Sequence, residues 1–241
     1  DTKQQIENVI RVLGHEIANP PTIVIGSSRI GEKLSKSEKE KGLWQRANKA
    51  SVTIDEILKE VLTLQAMESG KMELNLKPVS LSKVVDKGQF VFEDKLVAKN
   101  LKLDYDVNED LYVLADEVSL SNQVVNNLIS NAIKFSKPGT VIEVKTTVRE
   151  DEIDISVKDS GIGIPVDILN NLFDYHYKTS RKGTEGESGT GFGMPLVKLF
   201  VETYGGTISV TTRPEKDFSE GHGTEFILTL KRAAAGSHTA A

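Results

Sequence analysis

Seven apolar residues, Leu43, Ala47, Ala50, Ile54, Ile57, Val61 and Leu64, step along the chain by 4, 3, 4, 3, 4 and 3. Only an α-helix returns residues to one face at that spacing, and the alternation is the rhythm of a helix packed lengthwise against others. Ile6, Ile10, Leu13 and Ile17 repeat the steps upstream, so helices are expected over about 2–34 and 38–69. The polar join "SKSE" at 35–38 is short, which implies an antiparallel hairpin. Two helices cannot enclose so regular a seam. A second copy is therefore expected to complete a four-helix bundle, a homodimer formed through residues 1–72.

After "ESGKMELNLKPV" the rhythm changes, and 73–79, closed by Pro78, reads as a linker. In residues 80–232, helices at about 81–98, 116–135 and 194–204 are interspersed with strands at about 101–107, 111–115, 141–148, 153–158, 207–212 and 224–230. The expected fold class is α + α/β, a helical hairpin followed by an α/β sandwich in which a mixed sheet is covered by helices. Strand order is not legible. With 38% hydrophobic and 27% charged residues the chain is globular in composition. A formal charge of -5 gives no basic footprint for nucleic acid. No apolar run reaches the roughly 18 residues that a membrane segment needs. The absence of cysteine excludes disulfides, thiolate metal sites and cysteine nucleophiles, and suits the cytoplasm. The closing "AAAGSHTAA", 233–241, reads as a vector-derived tail.

Near the start, "GHEIANPP" carries a histidine whose position is informative. With about 100° per residue and Leu13 at the origin, His15 lies at about 200°, opposite the apolar seam, and Asn19 about 40° from it, one turn along. Both face solvent. Glu16 lies about 100° round, within reach of Nδ1 only through an extended rotamer. A lone exposed histidine is usually just solvated. Pro20 and Pro21, however, place a kink costing ~3 kcal/mol one turn away, which a plain bundle helix has no reason to carry. A carboxylate beside an imidazole can fix its tautomer and take up charge as the other nitrogen attacks.

Downstream, Gln123, Asn127, Asn131 and Lys134 form one polar stripe on the 116–135 helix. Solvated faces normally favour Glu and Lys, whereas asparagine is a poor helix former whose carboxamide oxygen can ligate magnesium beside phosphates. "VKDSGIGIP" then ends a strand with Asp159 followed by Gly161 and Gly163. A carboxylate there can accept from an exocyclic amine, although an ordinary turn would have the same spelling. "SGTGFGMP" supplies Gly189, Thr190, Gly191 and Gly193 just before a helix for which Pro195 suits the first position. Such a stretch offers unpaired backbone N–H groups to phosphate oxygens. It is not a P-loop, since G-x-x-x-x-G-K-[ST] is absent.

The asparagine-striped helix, D-x-G-x-G, the aromatic-basic cluster "NLFDYHYKTSRKG" and G-x-G-x-G occur in that order. The series resembles the N, first glycine, F and second glycine boxes of the GHKL-type ATP-binding domain shared by histidine kinases and the related gyrase, chaperone and mismatch-repair ATPases. With "HEIAN" on a preceding hairpin, the resemblance narrows to sensor histidine kinases of two-component systems and covers residues 3–231. It implies that His15 accepts the γ-phosphate of ATP, with Glu16 as general base. It implies that Asn131 ligates Mg2+, that Asn127 assists at the phosphates, and that Lys134 reaches them. Phe135 would lie beside the adenine, Asp159 would read its amino group, and Gly161 and Gly163 would shape the pocket. Phe173 and Tyr177 fit the F box, Lys178 would approach the γ-phosphate, and Gly189, Thr190, Gly191 and Gly193 would hold phosphates. Residues 174–190 would be the lid. Asn19 resembles the residue that orients water against a phospho-aspartate, so dephosphorylation of a response-regulator receiver domain, the implied partner, is also expected. The sensing region would lie upstream, membrane-bound or not.

Three departures stand out. Pro21 occupies a position usually apolar, Glu185 and Glu187 would repel phosphates unless turned outward, and Met194-Pro195 replaces a leucine-alanine type of continuation. A nucleotide-binding dimerisation module without kinase activity is the alternative, with His15 inert beside Pro21. An ATPase clamp is disfavoured because Asn127 stands where those relatives carry a glutamate base.

Overall fold

A computed structural model describes residues 21–177, 179–218 and 220–234, apart from the side chain of Glu68. The chain divides into two compact units, Asp1–Glu73 and Leu74–Ala241.

In the first unit α1 is helical over 21–34 and α2 runs Glu38–Glu68. Ser37 caps α2 by accepting from the Glu40 amide at 3.3 Å. Gln45 donates to Glu32 at 2.9 Å, and Gly31 leaves room for the Trp44 ring, so the two helices fold back on each other. Beyond Ser69, Gly70 takes φ +65 and α2 stops. The apolar seam is not closed within one chain: Leu43 and Ile54 are 53% and 47% exposed, and only Leu64 of the seven is buried. Pro21 is helical and buried. His15, Glu16, Asn19 and Pro20 lie outside the described residues.

The second unit comprises β1 (Lys77–Ser80), α3 (Leu81–Ala98), β2 (Lys102–Asp106), β3 (Tyr112–Ala115), α4 (Glu117–Ser119), a π-helical turn (Leu120–Val125), α5 (Asn126–Phe135), β4 (Val141–Val148), β5 (Glu152–Asp159), α6 (Val166–Leu169), α7 (Gly193–Thr203), β6 (Thr207–Arg213) and β7 (Gly223–Ala233). The expected linker, 73–79, thus contains part of a strand: β1 pairs antiparallel with β3 at the sheet edge, where Pro78 needs no ladder donor.

The strand order is β1-β3-β7-β5-β4-β2, with β6 also on β7, and β2 with β4 is the parallel pair. Register explains the two faces. Val144 pairs with Val157 and Val157 with Phe226, while Ile155 pairs with Leu228 and Ile153 with Leu230, all buried; Ile208 and Val210 of β6, opposite Leu228 and Phe226, are half-buried. One residue along, Glu143 opposes Lys158 and Lys158 opposes Glu225, so the other face is polar. Leu128, Ile129, Leu196, Val197 and Phe200, from α5 and α7, are buried with the apolar face. The result is the expected helix-covered mixed sheet.

Candidate functional site

The site grows from the end of β5 and from α5 and α7. Asp116 starts the helical segment by accepting from the Ser119 amide at 2.9 Å, and Ser119 hydroxyl joins buried Tyr204 at 2.7 Å. A π turn follows, and within it Gln123 is half-buried like Asn127. Its backbone carbonyl takes Asn127 Nδ2 at 2.6 Å. From Asn127 the α register holds: Asn127, Asn131 and Lys134 are half-buried while Leu128, Ile129, Ala132 and Ile133 face the core.

α7 begins against this stripe. A Cβ at Gly193 would lie 2.8 Å from Asn127 Oδ1, and Asn131 Nδ2 rests on Met194 Sδ at 3.2 Å. That contact uses one of the two Nδ2 donors on a weak acceptor, and no hydrogen bond to Asn131 Oδ1 is made among the described residues. Pro195 stands third in α7, not first as expected. The position is tolerated because the first-turn amides have no intrahelical partner. Thr190 Oγ1 accepts from the Phe192 amide at 3.3 Å just ahead of the helix. Lys134 Nζ lies under the loop, where a Cβ at Gly189 would come within 2.6 Å of it. Burial, and then the nearby Arg181, lower the Lys134 pKa, which Glu187 partly offsets.

At the β5 end Asp159 is 6% exposed, and its Oδ1 accepts from the amides of Gly161 at 2.8 Å and Thr224 at 3.3 Å. Burial pushes its pKa up to about 6, against the pull of those amides and of Arg181 and His222. Among the described residues no hydrogen bond is made to its Oδ2, which is left to accept from a ligand. A side chain at Gly161 would run into the Phe135 carbonyl, and Gly163 takes φ +65, so both glycines are required by the turn. His222 Nδ1 donates to Gly161 O at 2.6 Å.

Sequence reasoning missed two groups. Buried Lys99 donates to the carbonyls of Ile133 at 2.8 Å and Lys134 at 3.1 Å and to Glu187 at 2.5 Å. Glu187 is thus held by Lys99, close enough to Lys134 to raise that lysine's pKa, while Glu185 is exposed. Arg181 lies over the Phe135 ring at 4.3 Å and donates to Gly163 O, while Lys134 lies 4.7 Å from the same ring. Neither Lys99 nor Arg181 sits in a spacing that would single it out. Tyr177 is exposed and its side chain is not joined to the site, and Phe173 meets Lys198 at 5.9 Å. Lys178 lies outside the described residues.

The donor set suits a nucleotide: the Phe135 ring, the Asp159 carboxylate, a lysine, and a helix N-terminus. No cluster of three His, Cys, Asp or Glu side chains able to hold a metal occurs among the described residues, so a cation would rely on carboxamide and phosphate oxygens.

Residues 115–234 match the family described as Histidine kinase-, DNA gyrase B-, and HSP90-like ATPase. The aerobic respiration control sensor protein ArcB of Escherichia coli is 29% identical over 227 residues, 92% of this chain and 28% of ArcB. The sensor protein SrrB of Staphylococcus aureus is 25% identical over 95% of this chain and 38% of its own. The chain thus spans only about a third of such relatives. Full-length ShkA in complex with AMPPNP superposes with a TM-score of 0.74 at 22% identity, covering 95% of this chain and 47% of that one. Histidine kinase ThkA in complex with response regulator protein TrrA gives 0.63 at 24%, covering 94% and 61%. No helix among the described residues is long and apolar enough to cross a membrane.

Proposed function

From the premise that the chain belongs, through residues 115–234, to the histidine kinase-, gyrase B- and HSP90-like ATPases, we propose that it is the kinase portion of a sensor histidine kinase. The single observation that carries the reading is the pairing of a buried carboxylate, Asp159, with an asparagine-lined helix that faces the start of α7. Adenine would lie on Phe135 with its amine on Asp159. Asn131 would hold Mg2+, which neutralises phosphate charge, while Asn127, Lys134 and the amides of 189–193 orient the phosphates.

His15 is the proposed acceptor. Its Nε2 lone pair forms the bond to the γ-phosphorus as the bond to the bridging β,γ-oxygen breaks, and ADP leaves with that electron pair. Glu16 takes the Nδ1 proton, and Lys178 adds charge at the γ-phosphate. The phosphoryl group then passes to an aspartate of a receiver domain, in keeping with the ThkA complex with its response regulator. Leu43 and Ile54, exposed along the α2 seam, support a homodimeric four-helix bundle through residues 1–72, which sedimentation would refute by giving a monomer mass.

Incubation with γ-labelled ATP and Mg2+ tests the proposal. Acid-labile, alkali-stable label on the wild type and none on His15→Ala is expected; steady ATP hydrolysis without protein label would overturn it. Asn19→Ala is expected to slow decay of a phosphorylated receiver, and an unchanged decay would remove the phosphatase role.

A further inference from the structure

Arg181 covers the Phe135 ring, the surface that the nucleotide reading, on which this inference rests, assigns to the base. Its guanidinium lies 4.3 Å over the Phe135 ring and donates through Nη2 to Gly163 O, and the Asp159 and Asp167 carboxylates attract it. Phe135, Gly163 and Asp159 are the three residues expected to stack on, flank and accept from adenine. A guanidinium is flat, stacks on aromatic rings and points N–H donors in its own plane. Adenine is flat, stacks on the same rings and offers an exocyclic amine. The two compete for the same partners.

The loop is tied so that the competition is local. Upstream, Thr179 hydroxyl donates to Gly191 O at 3.2 Å and Ser180 hydroxyl to Gly189 O at 2.5 Å. Downstream, the Thr184 amide donates to Lys134 O at 3.0 Å and its hydroxyl to Ser136 O at 2.6 Å, while Glu187 is clamped by Lys99. Between these two ties Arg181 can leave the Phe135 ring by rotating its own side chain, with the backbone on either side held.

We propose that Arg181 is a resident competitor of adenine, so that base binding requires its side chain to swing off the Phe135 ring and release Gly163 O. Its removal then tightens binding of any ligand that carries the base, whether or not phosphates are attached.

Calorimetric titration of the full chain with adenosine, and separately with ATP and Mg2+, tests this in wild type, Arg181→Ala and Arg181→Lys. Loss of one stacked, hydrogen-bonded guanidinium is expected to tighten adenosine roughly tenfold in Arg181→Ala. ATP tightens with it, and Arg181→Lys, which keeps the charge but not the fork, behaves more like Ala than like the wild type. If Arg181 instead serves the phosphates, Arg181→Ala weakens ATP and leaves adenosine unchanged, which overturns the proposal. Equal adenosine affinities in all three proteins overturn it as well. Failure of every protein to bind adenosine or ATP would remove the nucleotide reading itself, and this proposal with it.

Discussion

A carboxylate that must stay ionised to accept from an amine, yet is buried at the end of a strand, carries an energetic burden. For Asp159 the pKa of about 6 exceeds the ordinary 3.8, so between those values the folded chain binds a proton that the unfolded chain has lost. Stability attributable to this group is therefore full below about pH 4 and falls as pH rises through about 6, by about 3 kcal/mol at most. Asp159→Asn keeps an oxygen for the Gly161 and Thr224 amides and removes the charge. At pH 7.5 it should raise the unfolding midpoint of the ligand-free protein while abolishing stabilisation by adenine nucleotides. A lowered midpoint would show that the charge is not the cost. In the wild type, nucleotide affinity should fall about tenfold per unit below pH 6, as the acceptor protonates.

At the scale of elements, the loop after α6 is organised by long-range ties to the end of α5. Lys99 closes α3 yet holds the last carbonyls of α5 and the Glu187 carboxylate together, with its side chain 4% exposed. Glu187→Ala should cost about 1–3 kcal/mol, and Lys99→Met should cost more because it also strands two carbonyls. In a urea double-mutant cycle the pair should destabilise by about 1 kcal/mol or more less than the sum. Strict additivity would mean that the clamp holds nothing. Helix positions were legible in the sequence because Leu43 to Leu64 and Leu120 to Ile133 repeat at helical spacing. The Asp159 and Gly161 turn was legible because close backbone approach demands glycine. Lys99 and Arg181 were not, since a lysine at a helix end and an arginine in a polar loop acquire meaning only from partners far along the chain. The π turn was equally silent: nothing in "LSNQVV" distinguishes it from an α-helical turn.

On the scale of the whole molecule, a hairpin with an unclosed apolar seam is joined to a helix-covered sheet, and the proposed nucleotide site draws on one strand end, two helices and a loop. Sheet register was out of reach of the sequence because pairing depends on non-local partners. The claim on which the rest depends is that Asp159 reads the amine of a base. Parallel equilibrium titrations with ATP and GTP, each with Mg2+, on wild type and Asp159→Asn test it most directly. Guanine presents a carbonyl oxygen where adenine presents its amine, so the wild type should favour ATP by about 10- to 100-fold at pH 7.5, and Asp159→Asn should lose most of that preference. Equal affinity for the two nucleotides in the wild type, or an undiminished preference in the variant, would contradict it.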